Sequence, residues 1–334
     1  MVTWLQNILD NKQTLAIPVM THPGIEATGH TVEEAVKNGS VHYEALKYLA
    51  DRYDSAACCT IMDLTVEAEA FGATVEFQRD DIPHVIGRLV KDAESVDRLE
   101  VPTLESGRLP EFLKASRLAV QNIKDRPIIA GCIGPFTLAG RLYDISESMT
   151  DIYLEPDVIE RLLNKCADFI YQYCKALKEI GVDGVLMAEP AAGLLSNEDC
   201  VMWSSSYIKS IADKLQDNGF AIINHDCGNK GQCTQAMIDS GAASLHFGNA
   251  IDMERTLAEC PSDMIVMGNI DPVGIMKQST AERVKEVTLD LLNRVAGHPN
   301  FVLSTGCDLP PHTPLENIDA FFEALSEYNG ASPS

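Results

Sequence analysis

Positive charge is scarce in this chain. Its 334 residues set 26 Lys and Arg against 49 Asp and Glu, a formal net charge of −23. No basic stripe exists to neutralise phosphates and release counterions, which argues against nucleic acid as a partner. The acidic surface favours solubility and offers a field to a partner with a basic patch. Long apolar runs are also missing: none reaches the roughly 18 residues that a membrane span needs. The opening Met1-Val-Thr-Trp-Leu-Gln-Asn7 has neither a basic n-region nor a cleavage site, so a cytoplasmic protein is expected. No Gly/Ser-rich or Pro-rich linker interrupts the chain, and one catalytic domain over residues 1–334 is the economical reading.

Cysteine, by contrast, is plentiful. Ten cysteines without an export signal imply a reducing compartment, where thiols pack, bind metals or react. Cys58 and Cys59 on an expected strand, and Cys166 and Cys174 on an expected helix, read as packing residues. Cys132, Cys200, Cys233 and Cys260 read the same way, with Cys132 the nearest of them to a pocket. That leaves Cys227 and Cys307.

The first half predicts a helix over residues 2–12 and a strand over Leu15–Met20 running into Thr21-His22-Pro23-Gly24. Thr31-Val-Glu-Glu34 is a capping box that opens a helical pattern to about Arg52. A strand over Ser55–Cys59 follows, ending at Asp63, then a turn of helix over Glu67–Gly72 and an edge strand over Thr74–Phe77. The pattern over Val85–Leu99 is helical but interrupted, 101–110 is loop, and Glu111–Asp125 is a helix. Pro127–Ile133 is a continuous apolar run, as a strand covered on both faces requires. Helices follow over Phe136–Tyr143 and Pro156–Ile180, the second with proline at its start and Gly181 past its end.

From there one unit repeats. Strands begin at Gly184, Ala221, Ala243, Met264 and Phe301, each followed by a helix. With Ala16, Ser55 and Pro127 the strand starts number eight, and eight consecutive β/α units close into a (β/α)8 TIM barrel. The expected fold is that α/β barrel, with an N-terminal helical extension and an insertion after the second strand. An open dinucleotide-binding sheet is the rival, but no strand end carries G-x-G-x-x-G.

In a barrel the chemistry sits at the C-terminal strand ends. Those ends carry Thr21 and His22, Asp63, Gly134, Glu189, His225 and Cys227, His246, Asn269 and Asp271, and Cys307 with Asp308. One imidazole and two thiolates form a soft tetrahedral set that selects zinc over magnesium or calcium. Three protein ligands with no second pair to close the shell match a catalytic site with one open position. Cys233 is discounted because it falls in an expected helix. The competing reading is a buried cysteine beside a hydrogen-bonded histidine.

His225-x-Cys227 with a distant Cys307 resembles the zinc site of the methylcobamide:coenzyme M methyltransferases, members of the uroporphyrinogen decarboxylase superfamily of TIM barrels. Asp63-Leu-Thr-Val-Glu-Ala-Glu-Ala-Phe-Gly72, Met267-Gly-Asn-Ile-Asp-Pro272 and Gly306-Cys-Asp-Leu-Pro-Pro-His-Thr-Pro-Leu-Glu-Asn317 extend the likeness over nearly the whole chain. True decarboxylases need an arginine-rich segment near the N-terminus, and Pro18–Gly24 has no arginine. The resemblance therefore implies a zinc-dependent methyltransferase, with zinc held by His225, Cys227 and Cys307. A thiol such as coenzyme M would take the methyl group from a methylated corrinoid (methylcobalamin type). Tetrahydrofolate is the alternative acceptor; a decarboxylase or a catalytically silent corrinoid-protein-binding barrel ranks lower. The corrinoid should arrive on a separate small protein, since no D-x-H-x-x-G cobalt-ligand pattern is present.

Glu189 is the expected displaceable fourth ligand, with His246 as runner-up. Asp226 and Asp308 are expected to cap helices or support the ligands. Asp63, His22, Asn269 and Asp271 are expected to bind substrate; His30 and His312 are ordinary loop histidines. Arg141 and Lys230 are the cations nearest to the strand ends that an acceptor's sulfonate would need.

Overall fold

In the computed structural model, which describes residues 2–331, seven parallel strands form one sheet in the order β1-β4-β5-β6-β7-β8-β9. These are β1 (Cys58–Cys59), β4 (Ile128–Ile133), β5 (Gly184–Ala188), β6 (Ala221–Asp226), β7 (Ser244–Phe247), β8 (Ile265–Ile270) and β9 (Phe301–Thr305). Residues 15–17 complete the ring. On one side Ile17 N donates to Leu303 O and Leu303 N to Leu15 O, both at 2.9 Å; on the other Ala56 N donates to Ala16 O at 2.8 Å. The eighth, N-terminal element is thus a bridge between β9 and the approach to β1, and the expected barrel closes.

Side-chain alternation along each strand divides the core in two. Ala221 and Ile223 of β6, Ile265 and Met267 of β8 and Val302 of β9 fill the interior. Ile222, Leu245, Val266 and Leu303 face the helices outside. The helix Thr3–Leu9 adds Trp4, Leu5 and Ile8 to the interior cluster. Trp4 Nε1 donates to Asp183 O at 3.0 Å, just before β5, so this helix stoppers the N-terminal end of the barrel. The opposite end is left for chemistry.

Several local expectations hold. Thr31 and Glu34 form a reciprocal capping box, and Pro156–Ile180 starts on proline and ends on a left-handed Gly181. Others need correction. Thr21-His22-Pro23-Gly24, which received no element from the sequence, starts a helix, Thr21–Ala27, with Pro23 in its first turn. Gly24 serves packing: a Cβ there would meet Ala45 O at 2.3 Å in the helix Gly39–Arg52. The span Val85–Leu99 is not one helical stretch. Its start belongs to β3 (Asp81–Ile86), which pairs antiparallel with β2 (Thr74–Gln78), Val75 opposite Val85. Only Ala93–Arg98 is helical, capped by Asp92. A further helix, Ile145–Leu154, was not expected. No helix among the described residues is long and apolar enough to cross a membrane.

Candidate metal centre

Period-two alternation makes His225 of β6 point inward above Ile223, and His246 of β7 lies directly beside it in register. Cys227 follows two positions later on the same inward phase. Asp226 shapes that turn: its Oδ1 accepts Gly228 N at 2.9 Å and Asn229 N at 3.1 Å. Cys307 follows β9. One donor atom each from His225, Cys227 and Cys307 lies within 4.8 Å of the others, the one such group of three among the described residues. Of the ten cysteines, all unpaired, only these two are not fully buried. Cys132 is fully buried in the outer core, its thiol donating to Ile133 O, and Cys233 donates to Leu195 O.

A hydrogen-bond chain sets the protonation of the imidazole. Ser304 Oγ lies 2.7 Å from Ile17 O, and only the hydroxyl can donate there. Ser304 therefore accepts from His246 Nε2 at 2.8 Å. Burial pushes His246 well below the usual histidine range, so it stays neutral and its Nδ1 keeps a lone pair. That lone pair sits 2.7 Å from His225 Nδ1, which must then carry the proton. In the neutral ring His225 Nε2 is then the nitrogen that keeps its lone pair. It is buried and has no partner in the chain.

The thiols are primed in the same sense. The Cys307 thiol donates to Cys227, which is lowered to about 4 against the opposing effect of burial. Cys307 is raised, because the Cys227 thiolate beside it opposes a second charge. A bound dication would reverse that and hold both as thiolates. The donor set and the bare Nε2 fit a zinc ion.

Neither expected fourth ligand joins the three. Both nitrogens of His246 are spent on His225 and Ser304. The Glu189 carboxylate instead receives Phe136 N at 2.9 Å, Thr137 N at 2.8 Å and Thr137 Oγ1 at 2.7 Å, at the N-terminus of the helix Pro135–Tyr143. A helix N-terminus suits an anion. Burial still pushes this carboxyl up to about 7. Glu189 N also donates to His225 O at 2.7 Å, so Glu189 ties that helix to the strand that carries His225.

The expected substrate residues divide. His22 Nδ1 lies 3.2 Å from Asp308 Oδ2, beside Cys307. Burial disfavours its charge, but Asp308 and then Asp63 outweigh that and raise it. Asp63 is buried and already engaged: Oδ1 accepts Thr65 N and Oγ1, and Oδ2 pairs with Arg108 Nη1 at 2.6 Å. Arg108, which falls in a stretch read as loop, also binds Glu69. Asn269 Nδ2 donates to Gly248 O and Ile251 O, and Asp271 Oδ1 accepts Val273 N and Gly274 N, so both brace loops. His30 and His312 pair with acids away from the cluster, with Glu44 and Glu26 respectively. Lys230 is exposed.

Gly248 is a requirement the sequence hid. A Cβ there would fall 2.7 Å from Cys227 Cα and 2.8 Å from Cys227 O, so only glycine lets the loop after β7 back the ligand.

A sequence profile of the Uroporphyrinogen decarboxylase (URO-D) family matches residues 8–328. The chain belongs to this family. Within the URO-D family it is similar to the methylcobamide:CoM methyltransferase MtbA of Methanosarcina mazei, 29% identical over 80% of this chain and 78% of the relative. A uroporphyrinogen decarboxylase of Coxiella burnetii is 26% identical over 83% of this chain and 79% of its own length. Among solved structures, a methyltransferase from Methanosarcina mazei superposes with a TM-score of 0.87, covering 98% of this chain and 99% of that one at 22% identity. The URO-D barrel expected from the strand count and motifs is thus the fold observed.

Proposed function

We propose that this URO-D-family chain is a methyltransferase that moves a methyl group from a methylated corrinoid to a small thiol such as coenzyme M. The corrinoid would be presented by a separate small protein, and zinc would be held by His225, Cys227 and Cys307. The observation that carries the reading is the bare, buried Nε2 of His225 facing two thiols in one cluster within 4.8 Å. Bound there, zinc supplies an open position at which a thiol gives up its proton at neutral pH.

The chain's own residues do the positioning. His246 and Ser304 hold the imidazole with Nε2 free, and Asp226 shapes the turn that presents Cys227. The acceptor sulfur then forms its bond to the methyl carbon, and cobalt leaves with the electron pair of the broken Co–C bond. The acceptor's proton goes to solvent. The relatives named as methylcobamide:CoM methyltransferases support this reading. The absence of arginine over Pro18–Gly24 speaks against the many carboxylates of a porphyrinogen.

The test is metal content of wild type and Cys307→Ala, with demethylation of free methylcobalamin followed by absorbance. About one zinc per chain, lost in the variant, with demethylation by coenzyme M, is expected. Activity with tetrahydrofolate alone would keep the site and change the acceptor. Zinc-free, inactive protein would end the proposal.

A further inference from the structure

Large apolar side chains are well hidden in this protein, with one concentrated exception. Seven are exposed among the described residues, and the most exposed are Tyr153 (67%), Leu154 (70%), Leu194 (64%) and Met202 (59%). The others, Ile82, Ile86 and Val273, reach only 40%, 44% and 46%. A hydrogen-bond frame gathers the first four. Tyr153 Oη donates to Asp199 Oδ2 at 2.5 Å, and Ser196 Oγ donates to the same oxygen at 2.7 Å. Leu154 adjoins Tyr153, Leu194 lies just before Ser196, and Met202 follows Asp199 by about one turn. The turn Val201–Ser205 is π-helical; it buries Trp203 and leaves Met202 out. Apolar residues scattered singly over a surface need no explanation, but a cluster held in one place marks a contact.

The cluster lies at the mouth of the barrel. The outer helix Pro156–Ile180 runs back to the start of β5, so Leu154, just before it, sits level with the C-terminal strand ends. The helix Ser206–Leu215 runs back to β6 in the same way, which puts Met202 at that level too. Packing joins the cluster to the loop that bears Cys227. A Cβ on Gly193, beside Leu194, would fall 2.2 Å from the carbonyl carbon of Gly228, the residue after Cys227. Gln232 Nε2 of the same loop donates to Gly193 O. Charge then decides between occupants. Residues 145–157 and 192–205, which build the cluster, contain no Lys or Arg but carry Glu147, Asp151, Glu155, Asp157, Glu198 and Asp199. Among the described residues only Glu147 of these has an ion-pair partner, Arg88. A second copy related by a two-fold axis would set these acids against themselves. The face therefore suits a different protein, apolar at the centre of its contact and rimmed with Lys and Arg.

Resting on the methyltransferase reading above, we infer that Tyr153, Leu154, Leu194 and Met202 form the docking face for the corrinoid-carrying protein, which meets them with an apolar centre and a basic rim. A carrier that delivers a methyl group to a thiol held by the Cys227 loop must make its contacts beside that loop, and this cluster adjoins it. Tyrosine and methionine are typical of interface centres. Tyr153 is already fixed by Asp199, so little of its freedom is lost on docking. The acids around it steer the encounter and set its orientation. The carrier is thus seated on one side of the mouth, over the loops that follow β4 and β5, rather than along the barrel axis.

The experiment compares two methyl donors with coenzyme M as acceptor: free methylcobalamin, and the methylated corrinoid protein purified from the source organism by its corrinoid absorbance. Leu154→Glu with Met202→Glu should raise KM for the corrinoid protein by about tenfold or more, as loss of an interface centre does, and leave turnover of free methylcobalamin unchanged. Wild-type KM for the corrinoid protein should rise with salt, and Glu155→Lys with Glu198→Lys should raise it at low salt and flatten that dependence. An unchanged KM in the apolar variant, or an equal loss on both donors, would overturn the inference. So would a wild-type dimer that the variant makes monomeric, since the face would then belong to a second copy. If the apolar variant does not fold, the charge reversal decides: a KM for the corrinoid protein that it leaves unmoved ends the inference. Wild type active on free methylcobalamin but not on the corrinoid protein would also end it, while keeping the methyltransferase reading. Wild type inactive on both would count against that reading itself and take this inference with it.

Discussion

His246 Nδ1 stands 2.7 Å from His225 Nδ1, and this contact decides which nitrogen of His225 faces the two thiols. The bond joins β7 to β6, and through Ser304 it continues to β9 and the carbonyl of Ile17, across the barrel interior. Such outer partners of a ligating histidine typically carry about 10–100-fold of metal affinity. Replacing His246 with Phe, which fills the space but cannot accept the proton, should weaken zinc by about that factor. Competition against a chromogenic chelator measures it. Unchanged affinity would show that the His246 backbone carbonyl, 3.3 Å from the same nitrogen, suffices.

Gly248→Ala forces a methyl group into the backbone of Cys227. Overpacking of this kind costs on the order of 1–3 kcal/mol. The strain should fall on the ligand, so zinc affinity is expected to drop more than the stability of the zinc-free protein. Thermal melts with and without metal separate the two. Equal losses in both states would place the strain elsewhere.

Arg108→Gln should be among the more damaging single changes outside the metal site. It strands Asp63, whose side chain is 1% exposed, without its cation. Breaking a buried pair from one side costs about 3–5 kcal/mol. Adding Asp63→Asn to that variant should recover much of the loss in urea unfolding, because the carboxylate then left without its cation is the part-exposed Glu69 rather than the fully buried Asp63. A double variant no better than Arg108→Gln would contradict this account.

Glu67 offers a pH test away from the metal. Burial pushes its carboxyl up to about 7, with only Ile133 N and minor contacts opposing. The folded state therefore holds this proton more tightly than the unfolded chain, whose carboxyl ionises near 4.5. Stability is unaffected by this group below about pH 4.5, falls as pH rises to about 7, and stays reduced above that. Glu67→Gln should leave stability near pH 4.5 little changed and raise it at pH 8 by on the order of 3 kcal/mol. Denaturant midpoints at the two pH values, compared as variant minus wild type, check the sign.

Much of the site was legible because strand ends in a barrel are functionally unequal. An apolar run ending in His225-x-Cys227, and another ending in Gly306-Cys307, pointed to the three residues whose donor atoms the fold brings within 4.8 Å of one another. The (β/α)8 closure was legible in the same way, from eight apolar runs spaced by helices. Shorter elements were not. The helix Thr21–Ala27 hides behind His-Pro-Gly, because a proline in a first turn and a glycine needed for helix contact look like a break. The β2–β3 hairpin hides because pairing across the turn, not periodicity, holds Val85 opposite Val75.

The sequence by itself determined the donor types, their place at the open end of a barrel, and the shortage of cations there. The tertiary structure decided which polar groups are already satisfied. Glu189 looked like a ligand until a helix N-terminus took both its oxygens, and Asp63 looked free until Arg108 and Thr65 took its own. Conversely, His225 Nε2 and the Arg141 guanidinium are left without partners. Satisfaction of a buried group depends on strand register and on neighbours far away in the chain, such as Ser304 against His246. No spacing along one strand carries that information.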